Sequence, residues 1–208
     1  AVKYNIKKFI YISTDEVYGQ LQKNDVQWTE ESVPNPRNPY SASKLSAEYL
    51  VKAAHETFGL NYLITRSCNN FGPRQSTKNL IPKIIKSIYN NQKMPIYGDG
   101  KQIREWIYVE DNCSALMTLI NSDAINETFN ISSNNEITNI ELFNNIADLM
   151  GKGHNLVEYV KDRPGHDFRY SVCANKLKAL GWEPSNNFLK LLEKTVKWYS
   201  DNEWLLKC

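Results

Sequence analysis

With 208 residues, of which 41% are apolar and 23% charged, the chain has the composition of one globular domain or of two small ones. Its formal net charge of +2, with Lys and Arg scattered along the chain, argues against nucleic-acid binding, and no apolar run approaches the roughly 20 residues that a membrane-spanning helix needs. The four cysteines and three histidines have neither disulfide-framework nor metal-ligand spacing, so we expect no metal and reduced thiols in a cytoplasmic protein.

The first elements in chain order predict a parallel β-α-β crossover. The apolar, β-branched run 9–12 is typical of a strand buried on both faces, and the proline-punctuated segment 19–39 predicts a loop. Residues 40–58 then predict a helix that ends at Gly59, and residues 60–65 predict a second buried strand. The chain is therefore expected to have an α/β fold with a parallel sheet.

The rest of the chain predicts further alternation of helices and strands. Helices are expected near 79–91, 110–121, 139–150, 175–180 and 188–205, and strands near 94–97, 103–109, 128–131 and 158–160. Thr138 and Glu141 have the spacing of a capping box at the start of the third of these helices. This order suggests the later part of a Rossmann-like nucleotide-binding sheet followed by a smaller α/β lobe, although no G-x-G-x-x-G motif occurs in the chain.

Polar side chains that could carry chemistry follow the first predicted strand. Thr14, Asp15 and Glu16 fall where ligands of open α/β sheets bind, just beyond the carboxyl end of a strand. Tyr40 and Lys44 lie one turn apart on a helix, where a Lys ammonium would lower the pKa of a phenol and make it a general base. Taken separately, the carboxyl pair is also compatible with a solvated turn, and the Tyr-Lys pair with a chance spacing on a helix.

Together with the two stretches that contain them and six further stretches, these residues resemble the extended short-chain dehydrogenase/reductase superfamily, and within it the nucleotide-sugar 4,6-dehydratases of the dTDP-glucose type. The matching stretches, which span nearly the whole chain, are KKFIYISTDEVYG, NPYSASKLSAEYLV, TRSCNNFGPRQ, NLIPKII, PIYGDGKQIREWIYVEDNCSAL, ETFNI, DRPGHDFRY and LGWEP. The Gly-rich first βα unit of this family is missing from the chain. The resemblance therefore implies that residues 1–72 form the later, incomplete part of an NAD-binding domain. Residues 73–208 would form mainly the nucleotide-sugar-binding lobe, with some segments returning to the sheet.

The resemblance implies NAD as the cofactor, contacted by Thr14, Tyr40 and Lys44, and dTDP-glucose or UDP-glucose as the substrate. Tyr40, helped by Lys44, would take the proton of the sugar 4-hydroxyl while hydride leaves carbon 4 for NAD⁺, with Thr14 bound to the 4-oxygen. Glu16 would remove the proton of carbon 5, Asp15 would protonate the leaving 6-hydroxyl, and hydride would return to carbon 6. Two adjacent carboxyl groups suit this pair of roles because they separate each other's pKa values.

The family's substrate contacts fall on eight residues spread along the chain, which are Asn69, Asn79, Pro95, Tyr97, Arg104, Asn139, Arg163 and His166. Pro95 and Tyr97 would line the base pocket, and Arg104 would meet a phosphate. Without the resemblance, Arg104 could be a solvated strand residue and Tyr97 could belong to the core. Thymine and uracil stay undecided, since they differ by one methyl group.

The resemblance also implies a homodimer for the full-length protein. Two alternatives to a dehydratase stay open at this point. One is a UDP-sugar epimerase or decarboxylase of the same superfamily, and the other is a non-catalytic fragment. Epimerases need only the hydroxyl residue, Tyr and Lys, and decarboxylases typically lack the Asp, so the Thr-Asp-Glu triplet favours the dehydratase.

Overall fold

The computed structural model describes residues 1–162, 165–185 and 187–207, and it has the α/β fold that the sequence predicts. The strands are β1 Phe9–Thr14, β2 Tyr62–Ser67, β3 Asn69–Phe71, β4 Met94–Tyr97, β5 Ile103–Tyr108, β6 Glu127–Ile131, β7 Glu136–Thr138 and β8 Val157–Val160. The α-helices are α1 Pro39–Phe58, α2 Leu80–Tyr89, α3 Val109–Asn121, α4 Asn139–Met150, α5 Asn175–Lys178 and α6 Phe188–Asp201. The last helix ends earlier than predicted, because a separate 3₁₀ turn, Glu203–Leu205, follows it.

The first sheet is parallel and has the strand order β1-β2-β6. Helix α1 connects β1 to β2, which confirms the predicted crossover. All six residues of β2 are buried, whereas β1 has one neighbouring strand in the described sheet and its Ile12 is 43% exposed. The prediction that β1 is buried on both faces is therefore wrong, because the described residues leave the Ile12 side chain exposed.

Helix α1 has strong local signals at both ends. The Asn38 side chain accepts a hydrogen bond from Ser41 N at 2.8 Å in a capping box, Pro39 occupies the first turn, and Gly59 ends the helix at φ 67°. A buried ion pair, Arg66 Nη2 to Glu48 Oε2 at 2.6 Å, then ties α1 to β2. These contacts fix the first turn of α1 beside the carboxyl end of β1.

The second lobe is built from two small sheets, β3-β5-β7 and β4-β8, covered by α2, α4 and α6. The side chains of β5 alternate between the core of the second lobe and the core beneath the first sheet. Trp106 and Tyr108 pack into the core of the second lobe, whereas Ile107 packs into the core beneath the first sheet with Leu63 and Phe129. The carboxyl ends of β1 and β2 lie next to β3, which in turn pairs with β5.

The predicted strands and helices are found close to their expected places, including the capping box at the start of α4, where Glu141 N donates to Thr138 Oγ1 at 3.2 Å. Two three-residue strands, β3 and β7, were not predicted from the sequence. None of the described helices is both long and apolar enough to cross a membrane.

Candidate active site

A sharp turn at the end of β1 presents two adjacent carboxyl groups. Strand β1 passes directly into the 3₁₀ helix Asp15–Tyr18, whose start is capped by Thr14 Oγ1 accepting from Glu16 N at 3.3 Å. Gly19 follows at φ 85°, and a Cβ there would collide with the carbonyl oxygen of Asn35. Glycine is thus required for the turn that holds Asp15 and Glu16 at the carboxyl end of the strand.

A cavity of about 270 Å³ lies at the carboxyl ends of β1 and β2. It is lined by all five residues that the sequence singled out for catalysis, Thr14, Asp15, Glu16, Tyr40 and Lys44, and by Ile12, Ser13, Ser67, Cys68, Asn69 and Asn70. Ser13 Oγ and Asn69 Oδ1 are buried and have no hydrogen-bond partner within the described residues. Such unpaired polar atoms in a cavity favour a polar ligand, because burying them unbonded costs free energy.

The carboxyl groups of Asp15 and Glu16 differ in burial and in hydrogen-bond partners although the two residues are adjacent. Asp15 is 2% exposed, and burial, followed by the negative charges of Glu16 and Glu105, raises the pKa of its carboxyl group well above the usual range. Thr14 Oγ1 donates to its Oδ1 at 3.3 Å. Glu16, by contrast, is only partly buried and accepts a hydrogen bond from Asn38 Nδ2 at 3.0 Å. Asp15 is therefore suited to donate a proton and Glu16 to accept one.

The pKa of Tyr40 is raised in the structure, contrary to the prediction from its spacing with Lys44. Partial burial is the largest cause, and the charges of Glu16 and Asp15 add to it, while a hydrogen bond with Thr14 opposes them. The Lys44 ammonium donates instead to the Ile12 carbonyl oxygen at 2.5 Å and lies over the ring of Tyr11. Partial burial thus sets the direction of the Tyr40 pKa shift, and the two carboxyl groups near the phenol reinforce it.

A larger cavity of about 500 Å³ adjoins the first, because Glu16, Asn69 and Asn70 line both. The larger cavity is also lined by six other residues that the resemblance implied for substrate binding, Asn79, Pro95, Tyr97, Arg104, Asn139 and His166. The remaining one, Arg163, lies outside the described residues. The structure thus gathers residues from β3, β4, β5, α4 and two loops around one space.

Arg104 and His166 shape the wall of the larger cavity. Arg104 is 7% exposed, donates to the carbonyl oxygens of Ile103 and Asp167 at 2.7 and 2.9 Å, and stacks on Tyr170. His166 Nδ1 lies 2.6 Å from Asp162 Oδ1. The alternative of a solvated strand residue is therefore wrong for Arg104, and core packing is wrong for Tyr97, which is 41% exposed.

Sequence reasoning missed several residues of these two cavities. The larger cavity is also lined by Asn70, Gln75, Lys78, Lys83, Trp106 and Tyr170. Lys83 follows Asn79 by one helical turn, a spacing that could have indicated it once Asn79 was chosen. Glu105, which is fully buried, influences Asp15 through the packing of β5, and no local signal in the sequence indicates this.

Among the described residues, no group of three or more His, Cys, Asp or Glu side chains is arranged to hold a metal ion. The chemistry that the site offers rests on carboxyl, phenol, hydroxyl and ammonium groups around a polar cavity.

The chain is similar to known proteins of one family. A family model described as GDP-mannose 4,6 dehydratase matches residues 1–195. The chain is 48% identical over 199 residues to the low-salt glycan biosynthesis protein Agl12 of Haloferax volcanii, covering 96% of this chain and 64% of the relative. It is 42% identical over 208 residues to the dTDP-glucose 4,6-dehydratase of Neisseria gonorrhoeae, covering 94% and 60%.

Among solved structures, the fold is similar to that of DesIV, a dTDP-glucose 4,6-dehydratase from Streptomyces venezuelae crystallised with NAD and TYD bound. The TM-score is 0.95 at 37% sequence identity, over 100% of this chain and 65% of that one. The chain therefore spans about three fifths of the length of the curated relatives described here, 64% and 60%.

Proposed function

The chain belongs to the GDP-mannose 4,6-dehydratase family, and on that premise we propose that its protein removes water from dTDP-glucose or UDP-glucose to give the 4-keto-6-deoxy sugar nucleotide. The observation that carries this proposal is the pair of adjacent carboxyl groups, one buried with a raised pKa and one hydrogen-bonded and partly exposed, at the junction of two cavities. Elimination of water needs an acid and a base on neighbouring carbons, and Asp15 and Glu16 supply them.

The smaller cavity fits the nicotinamide end of NAD in the chemistry of its lining. It offers the unpaired Ser13 Oγ and Asn69 Oδ1 and lies beyond the carboxyl ends of parallel strands. Thr14, Tyr40 and Lys44 would contact the cofactor there. When bound, NAD⁺ supplies a hydride acceptor for carbon 4 and afterwards a hydride donor for carbon 6.

Tyr40 takes the proton of the sugar 4-hydroxyl during oxidation. Its raised pKa makes the phenolate a stronger base, although a scarcer one at neutral pH. Thr14, whose hydroxyl is at the same cavity, donates a hydrogen bond to the 4-oxygen and stabilises charge that develops there.

Glu16 and Asp15 then carry out the elimination. The 4-ketone acidifies the proton on carbon 5, Glu16 removes that proton, and the electron pair forms the bond between carbons 5 and 6. Asp15 gives its proton to the 6-hydroxyl, which leaves as water. Burial raises the pKa of Asp15, because the charged form is disfavoured away from water, and this favours the protonated form that the step needs.

The larger cavity holds the nucleotide in this proposal. Pro95 and Tyr97 line the base pocket, and Arg104 meets a phosphate, with Asn139 near the ribose. The remaining proposed substrate residues are Asn69, Asn79 and His166 together with Arg163. Residues up to 72 thus serve mainly the cofactor and later residues mainly the nucleotide sugar, apart from β6, which pairs with β2 in the first sheet.

The proposal extends to a homodimer that acts in the cytoplasm and makes a precursor of 6-deoxy sugars, rhamnose among them. Self-association is supported by the apolar side chains that α1 leaves exposed, Tyr49 at 57%, Leu50 at 71% and Phe58 at 65%.

The test is to supply the protein with NAD⁺ and each nucleotide sugar in turn and to measure the mass of the product. A dehydratase gives a product lighter by one water. A product of unchanged mass would indicate an epimerase, and loss of carbon dioxide from UDP-glucuronate would indicate a decarboxylase; either result would contradict the proposal.

A further inference from the structure

Two lysines that sequence reasoning did not assign line the larger cavity. Lys83 is half-buried in the first turn of α2, and Lys78 is exposed just before that helix. Within the part of the chain that the structure describes, neither ammonium group has a hydrogen-bond or ion-pair partner. Positive charge left unpaired at a cavity favours an anionic ligand.

The direction of the Lys83 side chain follows from helix geometry. Side chains of an α-helix tilt toward its N-terminus, so Lys83 lies over the turn that begins at Asn79, the N-cap residue. The Asn79 side chain makes no capping hydrogen bond, and Asn79 and Leu80 both line the cavity. The Lys83 ammonium and the positive end of the α2 dipole therefore act on the same region.

Trp106, another residue of the lining, points independently to a ligand that offers oxygen atoms. Trp106 lines the same cavity and is 4% exposed, and its indole Nε1 has no hydrogen-bond partner among the described residues. An indole N–H can only donate, so the group that satisfies it must be an acceptor. Arg104 commits part of its donor capacity to the carbonyl oxygens of Ile103, Asp167 and Phe168.

A nucleoside diphosphate is the ligand class that suits both the unpaired lysine ammonium groups and the unpaired Trp106 N–H. Its phosphate oxygens carry negative charge and accept hydrogen bonds. Glu16 is the acidic residue on the lining of this cavity, and it lies where the two cavities meet. Neither Lys78 nor Lys83 lines the smaller cavity, whereas Glu16 lines both cavities.

We propose that Lys83, assisted by Lys78 at the rim, binds the diphosphate of the nucleotide sugar. This inference rests on the proposed function and adds a binding residue to it. A charge-assisted hydrogen bond from Lys83 fixes the diphosphate, and the long-range attraction of Lys78 strengthens binding at low ionic strength.

The test is calorimetric titration of the purified protein with dTDP at two ionic strengths. Lys83→Met should weaken binding by about tenfold, the effect of losing one hydrogen bond to a charged group. Lys83→Arg should keep most of the affinity because it keeps the charge, and Lys78→Met should lose affinity chiefly at low salt. Lys86→Met is the matched control, since Lys86 lies on the same helix, faces the Lys207 carbonyl oxygen at 3.4 Å and does not line the cavity.

The outcomes separate this inference from the proposed function. Parent-like dTDP affinity in Lys83→Met, or an equal loss in Lys86→Met, overturns the role of Lys83 and leaves the nucleotide-sugar assignment intact. A parent protein that binds neither dTDP nor, in a parallel titration, UDP overturns the proposed nucleotide site and this inference with it.

Discussion

Asp15 and Glu16 are neighbours in the chain, yet the fold gives their carboxyl groups opposite surroundings. Asp15 is 2% exposed and its Oδ2 has no hydrogen-bond partner in the described part of the chain, whereas Glu16 accepts from Asn38 Nδ2 at 3.0 Å and lines both cavities. Burial raises the pKa of the Asp15 carboxyl group, whereas the Glu16 carboxylate stays in contact with both cavities. An elimination of water needs one acid and one base, and this difference lets two adjacent carboxyl groups provide both.

Replacing Asp15 should make the protein more stable near neutral pH while abolishing dehydration. The pKa of this carboxyl is higher in the folded protein than the value of about 3.9 expected in the unfolded chain, so the folded state binds more protons between those two values. Stability is therefore lost as pH rises through that window, and Asp15→Asn removes the loss. Thermal unfolding midpoints across the pH range measure this effect.

The control for that series is Asp123→Asn, at an exposed position outside both cavities. We expect the midpoints of Asp15→Asn and its parent to converge below about pH 3.9, where the carboxyl is protonated in both states. A lower midpoint than the parent at neutral pH would show that burial of Asp15 does not cost stability.

Glu16→Gln should block dehydration but leave oxidation of the substrate possible. The change removes the base for carbon 5 and leaves Tyr40 in place, so NADH absorbance should develop when substrate is added to the protein with NAD⁺. Glu193→Gln, an exposed position on α6, is the control. Turnover of Glu16→Gln at the parent rate would show that another group is the base.

Tyr40→Phe should stop the reaction at its first step. Without the phenol, the 4-hydroxyl proton has no acceptor, and neither NADH absorbance nor product should form. Tyr49→Phe on the same helix, with its side chain 57% exposed, should react like the parent. Full activity of the Tyr40 variant would refute its role as the oxidation base.

Glu48→Gln should lower stability without acting on the chemistry directly. The two oxygens of its carboxylate share the Arg66 Nε–H, and Oε2 also accepts from Nη2; both residues are buried, at 1% and 3% exposure. Leaving the Arg66 charge unpaired should reduce the free energy of unfolding by about 3–5 kcal/mol. Chemical denaturation measures this, with the exposed Glu56→Gln on the same helix as control; equal stability of the two variants would contradict the account.

Elements with local signals could be predicted from the sequence. Pro39 and Gly59 indicate the two ends of α1, and the capping box of Thr138 and Glu141 indicates the start of α4. Strands β3 and β7 have three residues each and exist because β5 pairs with both, so periodicity could not reveal them.

In the candidate site, too, local sequence signals indicated some features, whereas others depend on tertiary contacts. The sequence located five residues of the smaller cavity, because Thr14, Asp15 and Glu16 directly follow a strand and Tyr40 and Lys44 lie near the start of a helix. The pKa of Tyr40 is raised first by partial burial and then by the charges of Glu16 and Asp15, and the Tyr40/Lys44 spacing could not indicate either cause. Likewise, Glu105 acts on Asp15 only through the tertiary packing of β5.

The most direct test of the central claim follows the hydrogen atom of carbon 4. The protein is given NAD⁺ and dTDP-glucose carrying deuterium at carbon 4 of the glucosyl unit, and the product is examined by mass spectrometry and NMR. The account predicts a product that has lost one water and carries the deuterium at carbon 6. Deuterium found again at carbon 4 of a product with unchanged oxygen content would contradict it.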